Sequence, residues 1–420
     1  MVATDTHRAI DAVWRIESPR LIAGLTRMMR DVGLAEDFAQ DALLAALERW
    51  PASGIPDNPG AWLMATAKRR AIDWLRRNQR FERKQAELAH ELEAGFESST
   101  PDVDAAIDDP VGDDLLRLML IACHPILPAD ARVALTLRLL GGLKTDEIAR
   151  AFLVPEATVA QRIVRAKRTL AEARIAFETP RGDELTQRIA AVLEVLYLVF
   201  NEGYAATSGD DWMRPALCED ALRLGRMLAQ LAPNGPEVHG LVALMEIQAS
   251  RSAARVTADG TPVLLLDQDR SRWDQLLIRR GLAALERAEA TGGRRGTYML
   301  QAAIAACHAR ARAPGDTDWT RIVALYDELV ALAPSPVVEL NRAVAVSMAS
   351  GPAAGLARVD ALTAEPALRN YHLLPAVRGE LLSKLGRWDE ARVELERAAS
   401  LTRNARERAL LLERAAACVR

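Results

Sequence analysis

Apolar residues recur three and four positions apart along nearly the whole chain, a spacing that places them on one face of an α-helix. Ala, Leu, Arg and Glu, which favour helices, dominate the composition. Alternating apolar and polar positions, the pattern of a half-buried strand, are almost absent. Only the segment LLLDQDRSRWD at 264–274 contains a brief apolar run that could form one strand or a buried turn. The pattern therefore predicts an all-α protein.

Composition divides this helical pattern into segments. Residues 82–114 contain eleven acids and two bases, interrupted by Ser, Pro and Gly, which is typical of a linker. Helical blocks precede and follow this segment. We therefore predict a first domain at 1–82, an acidic linker at 83–112, a second domain at 113–178 and a C-terminal helical domain at 179–420.

The second block has the pattern of a helix-turn-helix. Thr145 suits the N-cap of a short helix, and Pro155 suits the first position of the next helix. Leu153 and Val154 form the tight turn between them. The second helix carries five bases against two acids between residues 155 and 174. A solvated basic face is the ordinary explanation of such a helix, but the preceding short helix and turn favour DNA binding.

The position along this second helix separates two kinds of DNA contact. The first turns of a recognition helix meet base edges in the major groove, and later turns meet phosphates. The candidates for reading bases are Glu156, Thr158, Gln161 and Arg162. The candidates for binding phosphates are Arg165, Lys167 and Arg168.

The first block contains a second cationic helix, GAWLMATAKRRAIDWLRRNQRFERK, which follows a Pro-rich loop. It carries eight bases against two acids from 62 to 84, a density that can neutralise several phosphates. Trp62 either stacks on an unpaired base or belongs to the core, and the core is the commoner place for such a residue. The buried stripe is predicted at Trp62, Leu63, Ala67, Ile72 and Leu75. The predicted DNA contacts are Trp62, Lys68, Arg69, Arg70, Asp73, Arg76 and Arg77.

An amphipathic helix, GLAEDFAQDALLAALERWP, precedes that cationic helix. Its apolar residues form one stripe, and Asp37, Gln40 and Asp41 lie largely outside this stripe. An ordinary surface helix fits the same pattern.

In this order, the two blocks resemble region 2 and region 4 of extracytoplasmic-function sigma factors. The segment AEDFAQDALLAALERWP is similar to the part of region 2 that grips the polymerase clamp helices, so the resemblance implies that Asp37, Gln40 and Asp41 face polymerase. NPGAWLMATAKRRAIDWLRR is similar to the helix that recognises the −10 element, and LKTDEIARAFLVPEATVAQRIVRAKRTL to the reader of the −35 element. Two positions depart from the family: Arg69 stands where many relatives have Asn, and Leu153 where many have Gly. The implied partners are core RNA polymerase and promoter DNA.

The C-terminal part has features of helical repeats. Residues 385–401 resemble a tetratricopeptide (TPR) unit, with its repeat positions occupied by Gly386, Trp388, Ala391, Leu395, Ala398 and Leu401. The segments 197–209, 264–274 and 340–345 are similar to the hallmarks of sigma factors with a fused C-terminal TPR-like domain. This resemblance implies control through the extension, and a small YCII-like regulatory protein or a peptide as a candidate partner.

Other kinds of chemistry have little support in the sequence. The net charge of −3 provides no global attraction to nucleic acid, and four scattered cysteines form neither a metal nor a disulfide pattern. Asp267, Asp269 and Asp274 could serve a catalytic or metal site, but Arg270 and Arg272 can neutralise them. We therefore expect no catalytic residues, no metal and no cofactor, and interpret these charges as fixing a loop or lining an interface.

Two further observations complete the expectation. The N-terminal residues lack the pattern of a signal peptide, and no apolar run approaches about 20 residues, so we expect a cytoplasmic protein. Two alternatives to a sigma factor remain at this point: a conventional helix-turn-helix regulator, and a scaffold in which residues 179–420 bind peptides.

Overall fold

The computed structural model describes residues 2–90, 111–292 and 294–418. Within these ranges the regular structure is almost entirely helical, which confirms the all-α prediction. The chain forms two compact units, Met1–Val195 and Leu196–Arg420. Residues 91–110, the larger part of the predicted acidic linker, lie outside the described residues.

Three helices form the first block of the first unit: α1 (Val2–Met29), α2 (Val32–Ser53) and α3 (Pro59–His90). Asp31 caps α2 by accepting a hydrogen bond from the Leu34 N–H at 2.9 Å. The inner face of α2 consists of alanines at helical spacing, and short side chains let α1 and α3 approach it closely. These fully buried residues are Ala35, Ala39, Ala42 and Ala46.

The second block consists of α4 (Val111–Ala122), α5 (Ala129–Leu139), α6 (Thr145–Phe152) and α7 (Glu156–Glu172). Helices α6 and α7 form the helix-turn-helix, with Ile148 and Val159 buried between them. Both helices differ by one residue from the predicted starts. Thr145 is the first helical residue rather than the N-cap, because Glu147 in the first turn accepts from the Lys144 N–H at 2.8 Å. Pro155 lies just before α7 rather than at its first position.

The turn between α6 and α7 depends on a left-handed residue. Leu153 has φ 50° and ψ 44°, a conformation that costs a residue with a Cβ about 1–2 kcal/mol relative to the right-handed region. Its side chain is exposed, so burial offsets little of this cost. Leucine thus adopts the backbone conformation that glycine adopts without strain.

A buried carboxylate joins the two blocks of the first unit. Glu36 on α2 is 2% exposed. Its Oε1 accepts from Arg138 Nε on α5 at 2.5 Å, and its Oε2 lies 2.5 Å from Lys167 Nζ on α7. Burial alone would raise the pKa of Glu36, but the charges of Lys167 and Arg138 outweigh it and lower that pKa. Glu36 is therefore a charged residue at neutral pH, and it binds the helix-turn-helix domain to α2.

Two further ion pairs join α1 to the start of the helix-turn-helix, and both are more exposed than the Glu36 cluster. Arg15 on α1 pairs with Glu147 on α6 at 3.0 Å, and Lys144 pairs with Asp11 at 3.4 Å. Exposed pairs of this kind contribute little to stability.

A side chain at Gly142, which has φ 70°, would lie about 3.2 Å from the α1 backbone at Arg15. The close approach of this turn to α1 therefore requires glycine.

Helix α8 (Gly182–Tyr204) spans the boundary at residues 195 and 196. Consecutive helices of the second unit then pack against one another in pairs. Four of the helices that follow begin at a proline, which fits the first turn because its nitrogen donates no hydrogen bond. The helices are α9 (Pro215–Leu231), α10 (Pro236–Ala249), α11 (Gln275–Ala290), α12 (Thr297–Arg310), α13 (Trp319–Leu332), α14 (Pro336–Ser350), α15 (Pro352–Leu362), α16 (Leu373–Lys384), α17 (Trp388–Leu401) and α18 (Ala405–Ala416).

The segment 264–274 forms two short 3₁₀ helices, Leu265–Asp267 and Arg270–Arg272, so the strand interpretation is wrong. Its aspartates explain the difference, because they accept hydrogen bonds from nearby backbone N–H groups and stabilise turns instead. Asp269 accepts from the Ser271 N–H at 2.9 Å, and Asp274 from the Leu276 N–H at 2.8 Å.

Two very short strands, Ser208–Gly209 (β1) and Arg403–Asn404 (β2), pair in parallel. The Asn404 side chain, 1% exposed, donates to the carbonyls of Ala206 at 3.1 Å and Asp211 at 2.8 Å. These contacts attach the segment before α18 to the segment after α8.

The predicted TPR unit at 385–401 covers α17 and the turn before it. Gly386 has φ 73° in that turn, and Ala391, Leu395 and Ala398 are buried. Trp388 remains exposed. The helical hairpin fits the pattern, and the assignment to TPR repeats stays a prediction.

No helix within the described ranges is long and apolar enough to cross a membrane.

Replacing Leu153 with Gly should stabilise the helix-turn-helix by about 1 kcal/mol, since the relieved left-handed strain exceeds the added entropy of the unfolded chain. Hydrogen exchange of the α6 and α7 amides measures this change. Leu153→Ala is the matched control, because it trims the same exposed side chain but keeps the Cβ. Equal protection in both variants would contradict the strain argument.

Candidate nucleic-acid interface

Helix α7 presents a polar face opposite its buried stripe. The stripe consists of Val159, Ile163, Ala166 and Leu170. Among the predicted base readers, Glu156 and Gln161 are exposed, and Thr158 and Arg162 are half-buried. The first two turns of α7 can therefore meet base edges while the buried stripe of the helix stays packed.

Two arginines of this face are held by exposed carboxylates. Arg162 Nε lies 2.8 Å from Asp130 on α5, and Arg168 Nε donates to Glu172 at 2.6 Å. The hydrogen bond to Glu172 raises the pKa of Arg168. Exposed ion pairs are weak, so a phosphate or a base can replace either carboxylate. Arg165 is exposed and forms no ion pair with a described residue.

Lys167 is placed differently from the other predicted phosphate contacts. It is half-buried, and its ammonium pairs with the buried Glu36 of α2. Lysine reaches across because its long stem can lie along apolar surface while the ammonium finds a partner. A phosphate contact by Lys167 requires this ion pair to break.

Helix α3 also has one buried and one charged face. Leu63, Ala67 and Ala71 are buried, whereas Trp62, Ile72 and Leu75 of the predicted stripe are only half-buried. The side chains of residues 79–90 lie outside the described residues. On the charged face, Lys68 is half-buried and the other predicted charged contacts are exposed: Arg69, Arg70, Asp73, Arg76 and Arg77.

Some exposed arginines of α3 have hydrogen-bond or ion-pair partners among the described residues, and others do not. Arg70 donates to the Asp41 carbonyl at 3.0 Å and lies 3.3 Å from the Asp41 carboxylate. Arg77 Nε donates to the Asp73 carbonyl at 3.2 Å. Arg69 and Arg76 form no ion pair within the described part of the chain, so they are the most available cations of this face.

Trp62 is attached to the core by one edge. Its ring makes a T-shaped contact with Trp50, with centroids 5.2 Å apart and an interplanar angle of 64°. Trp50 is fully buried at the end of α2, whereas Trp62 is half-buried. Trp62 therefore makes a core contact while part of the residue stays accessible, and its stacking on an unpaired base stays a prediction.

The residues predicted to face polymerase occupy different environments on α2. Asp37 is exposed. Gln40 donates to Glu36 at 2.5 Å, and Asp41 pairs with Arg70. The sequence did not single out Glu36, one position before Asp37, although the structure pairs this buried acid with Arg138 and Lys167. A signal for it existed, because this acid falls on the alanine stripe of α2, where an ionised group needs a buried partner.

The acidic segment 264–274 does not form a metal site. Asp269 and Asp274 cap short helices, and hydrogen bonds from Ser271 lower the pKa of Asp269. No group of three or more His, Cys, Asp or Glu residues within the described ranges is arranged to hold a metal ion.

Three family models match the chain. Residues 14–81 match "Sigma-70 region 2", and residues 117–170 match "Sigma-70, region 4". The first match contains α2 and most of α3, and the second contains α6 and most of α7. Residues 188–289 match a "Family of unknown function (DUF6596)".

Two relatives match the chain over different lengths. "Uncharacterized protein R00370" of Rhizobium meliloti (strain 1021) is 44% identical over 394 residues, which are 94% of this chain and 92% of that protein. "Probable ECF RNA polymerase sigma factor SigI" of Mycobacterium tuberculosis (strain ATCC 25618 / H37Rv) is 33% identical over 172 residues, 40% of this chain and 57% of that protein. No solved structure matches. Residues 14–81 and 117–170 are thus sigma-70 region 2 and region 4 domains, and together with the likeness to SigI they support a sigma factor of the extracytoplasmic-function (ECF) type.

Proposed function

We propose that this sigma factor binds core RNA polymerase and directs it to promoters by contacting the −10 element through α3 and the −35 element through α7, under control of its C-terminal extension. The observation that carries this proposal is the pair of exposed cationic faces, one in each sigma-70 region. The chain as a whole has a net charge of −3, so these local faces must supply the attraction to DNA.

The arrangement of α7 supports base reading near its start. Gln161 is exposed, Arg162 is half-buried beside the buried stripe, and Asp130 holds Arg162 by an exposed, replaceable ion pair. An arginine can bind guanine with two hydrogen bonds, which Arg162 can do once it leaves the Asp130 carboxylate. Arg165 and Arg168, further along the helix, are suited to phosphates.

The arrangement of α3 supports contacts that depend less on sequence. Arg69 and Arg76 are exposed cations without carboxylate partners among the described residues, and Trp62 keeps part of its ring accessible. Phosphate contacts and stacking on an unpaired base both tolerate sequence variation.

The packing of the two sigma regions and the binding of DNA compete for one residue, Lys167. Lys167 cannot bind Glu36 and a phosphate at the same time. Release of the helix-turn-helix domain from α2 therefore frees a cation for DNA. The buried Glu36 then loses two cationic partners, which makes the release costly unless polymerase or DNA supplies compensating contacts.

The proposed control by the extension is supported by chain organisation. The Rhizobium relative matches 94% of this chain, so the likeness extends over both the sigma regions and the extension. Helix α8 runs through the boundary between the units without a break.

The full chain should bind core RNA polymerase at low salt and should start transcription only from its cognate promoters. A chain that ends at residue 195, the end of the first unit, should still bind polymerase but should give a different transcript level. Reconstituted transcription and co-purification measure both. Tight, specific binding of duplex DNA without polymerase would instead identify a conventional regulator, and equal transcript levels would contradict control by the extension.

Arg162→Ala should relax base preference at one −35 position and cost about 1–3 kcal/mol at the preferred base. Arg76→Ala should weaken all promoters similarly and reduce the salt dependence of binding by about one counterion. Binding of holoenzyme to a set of promoters with single −35 changes distinguishes the two. Uniform losses for Arg162→Ala would contradict its role in base reading.

Glu36→Gln should raise the promoter affinity of the holoenzyme, because it weakens the ion pair that holds Lys167 away from DNA. In a Lys167→Met background the same substitution should have little effect, since the competing cation is absent. A double-mutant cycle on promoter affinity measures this coupling. Glu48→Gln, an exposed acid on the same helix, is the control, and an equal gain in both backgrounds would exclude the competition.

A further inference from the structure

Three arginines of the second unit lie together between aromatic rings. Arg251 and Arg255, which follow α10, are 8% and 9% exposed. The guanidinium carbon of Arg255 lies 3.5 Å from the centroid of the Tyr204 ring. That of Arg270 lies 4.8 Å from the Trp273 ring, and that of Arg251 lies 5.7 Å from Tyr204 and 5.8 Å from Trp273. We call Arg251, Arg255, Arg270, Tyr204 and Trp273 the arginine cluster.

No described carboxylate pairs directly with the arginine cluster, although the charge of Asp316 acts on Arg270 from a distance. Within the described ranges, none of its three arginines forms an ion pair with an acid. Arg255 donates to the Tyr204 carbonyl at 2.9 Å, and Arg270 donates to the carbonyls of His308 and Ala311, each at 2.7 Å. These neutral acceptors fix the side chains but leave the positive charge in place.

The mutual repulsion of these arginines is reflected in their pKa values. Burial is the main cause that lowers the pKa of Arg255 and of Arg270; the charge of Arg251 lowers both further, whereas Tyr204 raises that of Arg255 and Asp316 raises that of Arg270. Burial, followed by Arg251 and Arg270, lowers the pKa of His308 to about 4. His308 is therefore neutral at physiological pH. Asp316, the acid whose charge acts on Arg270, accepts a hydrogen bond from the Ala313 N–H, and Glu202, two residues before Tyr204, is occupied by Arg214 and Thr207.

Arg251 differs from the other two arginines because its side chain donates no hydrogen bond to any described residue. A guanidinium has five N–H donors, and its Nε here is fully buried without a partner. The Tyr204 hydroxyl and the Trp273 indole N–H are also buried and unpartnered. Buried donors of this kind are normally hydrogen-bonded, and leaving them unpaired is costly.

Contacts with aromatic rings account for only part of the arginine cluster. The cation–π attraction requires a cation within about 6 Å of the ring centroid. Arg255 satisfies this condition closely, but both distances for Arg251 fall at its outer limit. Arg251 therefore has neither a hydrogen-bond acceptor nor a close ring, although it is more than nine-tenths buried.

We propose that the arginine cluster binds the phosphate or phosphomonoester group of a small molecule, with Arg251 as its main ligand. Phosphate supplies acceptor oxygens for the planar fork of donors of an arginine. A phosphomonoester carries close to two negative charges at neutral pH, which suits a site with three cations better than the single charge of a carboxylate. This proposal concerns the second unit and stands independently of promoter recognition.

The position of the arginine cluster gives such a ligand a structural effect. Arg251 and Arg255 belong to the turn after α10, whereas Arg270 and Trp273 belong to the segment before α11. Tyr204 is the last residue of α8. A bound phosphate would connect three separate segments, all within the residues 188–289 that match the family of unknown function.

The test uses the full chain in phosphate-free buffer, with ionic strength matched by sodium chloride. Inorganic phosphate or glycerol phosphate should raise the Tm, because a ligand that binds only the folded state stabilises it. Titration calorimetry should show saturable binding. A larger response to glycerol phosphate would identify an esterified ligand and a larger response to inorganic phosphate a free one; both support the site.

Arg251→Met provides the decisive comparison. It removes a buried charge without an acceptor, so its Tm without phosphate should equal or exceed that of the unmodified chain, and phosphate should no longer raise it. Arg251→Lys, which keeps the charge but loses the fork, should weaken phosphate binding at least about tenfold. Arg279→Met, at an exposed arginine of α11, should leave both Tm and phosphate binding unchanged.

Three results would overturn the proposal. The first is an unmodified chain that shows neither a Tm shift nor calorimetric binding with either phosphate probe. The second is an undiminished phosphate response in both Arg251→Met and Arg251→Lys. The third is a response to sodium acetate as large as that to phosphate, which would assign the site to carboxylates.

Discussion

The arrangement of the first unit depends on one buried carboxylate. Glu36 lies on the alanine face of α2, where an ionised group without partners would be strongly unfavourable. Arg138 from α5 and Lys167 from α7 neutralise it, so the two sigma regions share a single charge cluster. Because each cation comes from the second region, the interface between the regions and the ionisation of Glu36 are inseparable. A residue of the recognition helix is thereby part of the same cluster, which connects the packing of the unit to its DNA-binding surface.

Helical periodicity predicted much of this architecture, because apolar spacing and cap residues are local properties of a sequence. The crossing of α6 and α7 follows from such a pattern, and it places Ile148 and Val159 in the interior. The partners of Lys167 did not follow, since a basic residue on a helix face has the same local pattern whether it meets solvent, phosphate or a distant carboxylate. Leu153 is a similar case: the turn was predictable, but its left-handed backbone is imposed by the two helices that it connects. In the segment 264–274, local hydrogen bonds from aspartate side chains produced 3₁₀ turns in place of a strand.

Buried charged side chains have different kinds of neighbours in the two units. In the first, an acid is surrounded by cations of the same chain. In the second, Arg251 and Arg255 lie against aromatic rings, and neither forms an ion pair with an acid within the described ranges. The first arrangement is complete within the described residues, and it stabilises one packing of two regions. The second leaves donors without acceptors, which is the condition in which an external anion contributes most to stability.

The parallel pairing of β1 with β2 has a consequence for how the second unit unfolds. In a linear stack of helical hairpins each pair touches only its neighbours, so the terminal helices fray first and unfolding spreads inward. Here Asn404 bonds to the carbonyls of Ala206 and Asp211, nearly 200 residues earlier in the chain. These hydrogen bonds connect the first and last parts of the second unit, so neither part can fray without breaking them. A stack without this contact would unfold gradually from its ends. The two-residue ladder and the Asn404 side chain therefore make the unfolding of the second unit more cooperative.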